Sequence, residues 1–140
     1  MSSASDYLET RILDFFLKNN SLGTSAPNPI YVALYTADPT DSAGLTNHQD
    51  EVSNSGTAYQ RTAVTFGTID TQAGSVQNNA AVTFPVATAN YGTVTHIAIV
   101  DSNTYKGGNI LFHGALDDDK LVETNDTFQL NTAALTVTVA

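Results

Sequence analysis

The chain of 140 residues contains no cysteine and no tryptophan. Without cysteine, the protein has no disulfides, no thiolate nucleophile and no cysteine-based zinc site. Basic residues are also few, because five lysines and arginines stand singly along the chain against 14 acidic residues, which gives a formal net charge of −9. A nucleic-acid-binding protein needs a basic patch to neutralise phosphates, so no nucleic-acid partner is expected.

Long hydrophobic runs are absent as well. No apolar stretch approaches the roughly 20 residues that cross a bilayer. The N-terminus has no basic region followed by an apolar stretch and a small-residue cleavage site, so it does not have the pattern of a secretory signal. We therefore expect a soluble protein that is synthesised in a cytoplasm and has no membrane partner.

The residues that are present indicate one folded domain rich in strands. Hydrophobic residues make up 41% of the chain and charged residues only 14%. The polar character comes mainly from Thr, Ser and Asn, which favour strands and turns. At this length we expect a single domain over residues 1–140 with one core.

One helix is predicted at about residues 5–19. Ser5 or Asp6 can serve as its N-cap, and with Asp6 as the cap Glu9 completes a capping box. Four apolar residues share one face of this helix: Leu8, Ile12, Phe15 and Phe16. We expect this face to pack on the sheet as part of the core, with a partner-binding helix as the alternative.

Strands alternate with turns over the rest of the chain, from about residue 30 to 139. They are predicted at 30–36, 59–69, 76–85, 94–101, 110–116, 121–123, 127–130 and 135–139. Both faces of the first one are apolar, so we expect it to be central. Turn signals recur at intervals of about 8–12 residues without helical crossovers, which predicts an antiparallel β-sandwich of seven or eight strands.

The segment 37–56 differs in composition from the rest of the chain, because it is polar and has few hydrophobic residues. A loop of this length inside a small domain is often functional. We predict it to be a contact arm or a variable surface, and five of its residues are the candidate contacts: Asp38, Pro39, Leu45, His48 and Val52. The helix residues named above are the other candidates for an interaction surface.

No pattern of residues indicates catalysis or a cofactor. His48 lies near Asp50 and Glu51, so a weak metal site is conceivable, but no second pair of ligands has zinc-like spacing. We expect His96, on one strand face with Val94, and His113 to be hydrogen-bonded structural residues. The run 117–119 of three aspartates lacks the spacing of a calcium loop and predicts a solvated turn. The prediction is a non-enzymatic protein without metal or cofactor.

Six segments, taken in order, resemble small virion proteins of tailed bacteriophages that are described as tail-fibre-like or minor structural proteins. The segments are the Asp-Tyr-Leu-Glu start of the helix and residues 31–40, 56–66, 79–85, 92–101 and 108–116. They span nearly the whole chain. The resemblance implies a structural protein of the virion, made in the cytoplasm of the host, and it implies no catalytic or ligand-binding residues.

A tail fibre is usually long and repetitive, whereas this chain is short and acidic. We therefore favour an outer capsid decoration, or cement, protein on the exterior of the head. The alternatives are a tail-fibre or baseplate component and a carbohydrate-binding β-sandwich module. The expected partners are other virion proteins, with the major capsid protein favoured, and further copies of this chain, with a trimer as the expected oligomer.

Overall fold

The computed structural model describes residues 3–23, 25–40 and 48–139. In chain order the elements are β1 (Ser3–Ala4), α1 (Asp6–Lys18), β2 (Ile30–Tyr35), β3 (Thr62–Val64), β4 (Ser75–Gln77), β5 (Val82–Thr83), β6 (Gly92–Val100), β7 (Ile110–Val122), β8 (Gln129–Leu130) and β9 (Thr136–Thr138). The prediction of a mostly β protein with one N-terminal helix is confirmed.

The strands form a sandwich of one large and two small sheets. The large sheet has the order β1-β7-β6-β2-β3, with antiparallel neighbours throughout. Two-stranded sheets β4-β9 and β5-β8 make up the second layer. The predicted strands 110–116 and 121–123 are one element, β7, whereas the predicted strand 76–85 is divided between β4 and β5.

The main core lies between the two layers. Val32 and Leu34 of β2 and Ile97 and Ile99 of β6 contribute side chains from the large sheet. The second layer and the loops supply Val82, Phe84, Phe128, Leu135 and Val137 among others. A smaller cluster of Ala33, Tyr35, Ala98, Val100 and Ile110 lies on the opposite face of the large sheet. As predicted, β2 is a central strand that is buried on both faces.

An irregularity in β6 changes which side chains share a face. The β6-β7 register shifts between Val94 and His96, so that Val94 joins the main core together with Ile97 and Ile99. The sequence analysis assumed that side chains alternate strictly between the two faces of the strand, and therefore placed Val94 on the same face as His96. That prediction is wrong. A bulge adds a residue to a strand and thereby reverses the alternation of faces.

The same irregularity explains why the three aspartates at 117–119 are exposed although they belong to a strand. Val94 pairs with Lys120 and His96 pairs with Ala115, so the residues from Leu116 to Asp119 lie opposite Thr95 alone. Asp117, Asp118 and Asp119 are solvent-exposed, as the prediction of a solvated turn required. They nevertheless lie within the bounds of β7 rather than between two strands.

The helix does not pack as predicted. None of the residues of α1 is buried, and its contacts are with β1 and β7. The expectation that Leu8, Ile12, Phe15 and Phe16 form part of the core is therefore wrong for this structure, because the main core is already closed by the second layer of strands. Within the described part of the chain, no helix has the length and apolarity to span a membrane.

Candidate functional site

Ser5 anchors the helix to the large sheet. Its side chain is almost fully buried, its backbone N–H donates to the carbonyl of Leu111 at 3.0 Å, and its hydroxyl donates to the carbonyl of Ile110. The same hydroxyl accepts from the N–H of Leu8 at 3.3 Å, so Ser5 is the N-cap. The helix therefore begins at a fixed point on β7.

Replacing Ser5 tests this anchor. We expect Ser5→Ala to lower the free energy of unfolding by about 1–2 kcal/mol, because it removes an N-cap acceptor and a buried donor to Ile110. Relative to the wild type, the rate of amide hydrogen exchange should increase more in α1 than in β6. Ser21→Ala, an exposed change after the helix, is the control, and equal exchange rates in α1 of the two variants would contradict the anchoring role.

Five large apolar side chains near the C-terminal end of α1 are left exposed. We call them the α1 patch: Ile12 (37% exposed), Leu13 (54%), Phe15 (46%), Phe16 (73%) and Leu17 (76%). The rings of Phe15 and Phe16 meet edge to face with centroids 5.0 Å apart. Contiguous exposed apolar surface on a folded domain marks an interaction site. The α1 patch is therefore the candidate functional surface.

The candidate contacts of the segment 37–56 that the structure describes are not brought together on one surface. Asp38 is exposed and its carboxylate accepts from the N–H of Thr40, whereas Pro39 is buried. His48 and Val52 are almost completely buried in the interior. Leu45 lies outside the described residues. Of the eight predicted contact residues that the structure describes, the helix residues are the ones that form an accessible apolar surface, with Leu8 half-buried at its edge.

His48 and Glu51 of this segment belong to a buried polar network. Glu51 is at its centre, and its carboxylate accepts from Arg61 Nε at 2.8 Å, from Arg61 Nη2 at 3.0 Å, from the hydroxyl of Tyr59 at 2.9 Å and from the backbone N–H of Lys106 at 2.9 Å. The remaining guanidinium nitrogen of Arg61, Nη1, donates to the carbonyls of Ser102 and Gly107. We call Tyr35, His48, Glu51, Tyr59 and Arg61 the Glu51 network.

The hydrogen bonds of His48 fix its tautomer. Nε2 lies 3.1 Å from the carbonyl of Gly108, which only accepts, so Nε2 carries the proton. Nδ1 is then the acceptor, and the hydroxyl of Tyr35 donates to it at 2.8 Å. Burial is the main cause that lowers the pKa of His48, and the nearby guanidinium of Arg61 adds to it. The imidazole is therefore neutral and structural.

The neutral state of His48 makes stability depend on pH. Its pKa in the folded state is below the ordinary value of 6.5, so below that pH the unfolded chain binds more protons. We expect the contribution to be present above about pH 6.5 and to be lost as the pH falls further. His48→Gln, which does not titrate, should lose less stability than the wild type between pH 7 and 5 in urea unfolding. Parallel pH profiles would contradict this assignment.

Three of the tyrosines are too deeply buried to stack on a sugar. Tyr35, Tyr59 and Tyr91 are at most 5% exposed. Burial, followed by the charge of Glu51, raises the pKa of both Tyr35 and Tyr59, so both phenols remain protonated hydrogen-bond donors. A stacking site needs exposed rings, and among the described tyrosines these three cannot provide one.

A groove of about 660 Å³ runs beside the irregular part of β7. Asp117, Asp118, Lys120 and Asp126 lie along it, with Leu121 61% exposed. In the ranges that the structure describes, no group of three or more His, Asp or Glu side chains has the geometry to hold a metal ion. The groove is open and acidic.

Sequence reasoning missed two features of the site. It did not include Leu13 and Leu17, because they lie off the stripe defined by Leu8, Ile12 and Phe15. It also missed the pairing of Glu51 with Arg61, which only the fold brings together. An arginine within a strand-like segment of apolar residues was the one available signal.

A comparison with protein families shows a match over nearly the whole described chain. The family model described as podophage GP4 fiber I protein gp80 matches residues 3–138. No match is found among curated proteins.

Proposed function

We propose, because this chain belongs to the family described as podophage GP4 fiber I protein gp80, that it is a structural subunit of a fibre on a tailed-bacteriophage particle. The family is one of phage fibre structural proteins. Its match includes α1 and all the elements from β1 to β9, and it is the observation that carries the proposal.

The match favours the tail-fibre alternative over the capsid decoration that the sequence led us to expect. The short length of the chain favoured a capsid decoration protein in the sequence analysis. It is also compatible with a fibre if the protein is one of several subunits of that fibre. A projecting helix with exposed apolar side chains suits a subunit that joins to others.

A structural role also agrees with the chemistry of the interior. The side chains with the strongest mutual contacts, those of Glu51 and Arg61, are buried and bonded to one another and to the backbone. His48 has both ring nitrogens engaged in the same way. These groups stabilise the fold. We propose other virion proteins as the partners, and the net charge of −9 disfavours contact with DNA.

Immunogold labelling of intact phage particles tests the location. An antibody raised against the folded protein, and shown to bind it under native conditions, should place gold on fibres or at the tail. Pre-incubation of the antibody with purified protein is the control and should remove the label. Gold distributed over the whole head would contradict the fibre role and restore capsid decoration. Unlabelled particles would contradict an exposed place in the virion.

A further inference from the structure

The turn at residues 48–50, which we call the His48 turn, closes over the end of β2. The backbone N–H of Thr36 donates to the carbonyl of Asp50 at 2.9 Å, and the N–H of Glu51 donates to the carbonyl of His48 at 3.1 Å. Glu51 fixes the C-terminal side of the turn, because its carboxylate is at the centre of the Glu51 network. The side chain of His48 supplies the contacts on the other side.

The ring of His48 covers Tyr35. The two rings have centroids 6.2 Å apart and an angle of 23° between their planes, and both side chains are completely buried. Tyr35 belongs to the smaller cluster on the face of the large sheet that is turned away from the main core, together with Ala33 and Val100. Removal of His48 from this position would therefore expose an aromatic ring and the edge of an apolar cluster.

The position of His48 requires a neutral ring. Nδ1 accepts from the hydroxyl of Tyr35 at 2.8 Å, and Nη2 of Arg61 lies 3.4 Å away from it. A proton on Nδ1 would face these two donor groups, and the guanidinium of Arg61 carries a positive charge and cannot accept a hydrogen bond. Nε2 donates to the carbonyl of Gly108 in either protonation state, so the conflict arises at Nδ1 alone.

The negative charges near His48 are engaged by other donors. The carboxylate of Glu51 accepts four hydrogen bonds, and that of Asp101 accepts from the backbone N–H and the side-chain amide of Asn109 at 2.7 and 3.0 Å. Lys106 adds a positive charge beside the turn, since its Nζ lies 3.0 Å from one of the carbonyls of the turn. Burial is the main cause that lowers the pKa of His48, and the attraction of Glu51 and Asp101 does not offset it.

We propose that the His48 turn is an acid-sensitive cover: protonation of His48 releases residues 48–50 from β2 and exposes Tyr35, while Glu51 and the sandwich remain in place. The released imidazole lies in water and takes up a proton at its ordinary pKa of 6.5, so acid favours the released state. Exposed apolar surface marks an interaction site, so a fall in pH gives the protein a surface that is closed at neutral pH. The release depends on this chain alone, and its failure would leave the fibre role untouched.

Hydrogen exchange of single amides, followed by NMR, measures the release. The N–H of Thr36 reports it through its bond to Asp50, whereas the N–H of Val52, which donates to the carbonyl of Leu34 at 2.9 Å, lies beyond the fixed end of the turn. After correction for intrinsic exchange rates, the opening constant of Thr36 should rise by as much as about 30-fold from pH 7.5 to pH 5. Val52 should be better protected than Thr36 at both pH values. Equal protection of the two amides would overturn the proposal, because the opening would then not be confined to the turn.

His48→Gln removes the titration and keeps the bonds. Glutamine can accept from the hydroxyl of Tyr35 and donate to the carbonyl of Gly108, but it does not bind a proton in this pH range. The rise in the opening constant of Thr36 should therefore disappear. His96→Gln is the matched control, because it removes an imidazole from β6 and should keep the rise of the wild type. A rise that persists in His48→Gln, or one that is lost equally in both variants, would contradict the role of His48.

The wild-type ring provides a test that needs no variant. An NMR titration of the ring carbons of His48 reports its protonation, and the same samples give the exchange of Thr36. Because protonation and release are one event, the ring should remain neutral for as long as Thr36 is protected. A ring that is protonated while Thr36 keeps the protection it has at pH 7.5 would show that the closed turn accommodates the charge, and the proposal would fail.

Discussion

Arg61→Ala is expected to lower the free energy of unfolding by about 3–5 kcal/mol, the cost typical of breaking a buried ion pair by removal of one partner. The side chains of Arg61 and Glu51 are both almost completely inaccessible, at 1% and 0% exposure. Without Arg61 the carboxylate of Glu51 stays buried with two of its four donors, Tyr59 and the N–H of Lys106. The carbonyls of Ser102 and Gly107 lose donors in the same substitution.

Urea unfolding at pH 7 measures the loss in the free energy of unfolding, and thermal unfolding provides a second measurement. For a domain of this size the melting temperature should fall by about 10–15 °C. Lys120→Ala removes the same charge from an exposed position and should change the free energy of unfolding by less than about 0.5 kcal/mol. An Arg61→Ala variant as stable as Lys120→Ala would show that the pair contributes nothing to stability.

A double-mutant cycle separates the pair from its surroundings. Glu51→Gln keeps the size of the side chain and removes its charge, and the double variant carries both changes. The losses in the free energy of unfolding of the two single variants should add up to more than the loss of the double variant. The reason is that the double variant has no buried charge left without a partner. Additive losses would mean that Arg61 acts through Ser102 and Gly107 rather than through Glu51.

Local patterns predicted the elements of the fold well. The helix was predicted at about residues 5–19 and α1 spans Asp6–Lys18, but the sequence left Ser5 and Asp6 open as the N-cap, and the structure shows that it is Ser5. The central place of β2 followed from two apolar faces. The split of 76–85 into β4 and β5 was not predictable in this way, because Asn78 forms its bonds with residues that are distant in sequence, such as Asn131 and Leu135.

The candidate functional surface was predictable only in part. The apolar residues of α1 were visible in the sequence, but periodicity does not tell whether such a face packs on its own sheet or on another chain. That choice depends on whether the second layer already closes the core, which is a property of the whole fold. The burial of His48 also depends on the whole fold. Its hydrogen-bond partners, the hydroxyl of Tyr35 and the carbonyl of Gly108, are distant in sequence, so the polar sequence around His48 does not reveal them.

Asn78→Asp is expected to be the second most destabilising change, by about 3 kcal/mol at pH 7, because it buries an unpaired charge. Asn78 is 1% exposed and joins the turn between β4 and β5 to the turn between β8 and β9. Its side-chain nitrogen donates to the carbonyls of Ala80 at 2.8 Å and Asn131 at 2.9 Å. Its side-chain oxygen accepts from the N–H of Leu135 at 2.9 Å. Aspartate keeps the acceptor but turns a second oxygen towards two carbonyls.

The pH dependence of the loss distinguishes this cause from a simple packing defect. Burial next to two carbonyls should raise the pKa of the new carboxyl above its unfolded value of about 3.9. The protonated form can donate again, so the stability gap to the wild type should narrow as the pH falls from 7 towards 4. Asn90→Asp, at an exposed asparagine that only accepts from Thr124, makes the same chemical change and should be nearly neutral. A gap for Asn78→Asp that stays constant with pH would mean that the aspartate is uncharged or solvated in the fold, and that the two turns are held together by their backbone bonds.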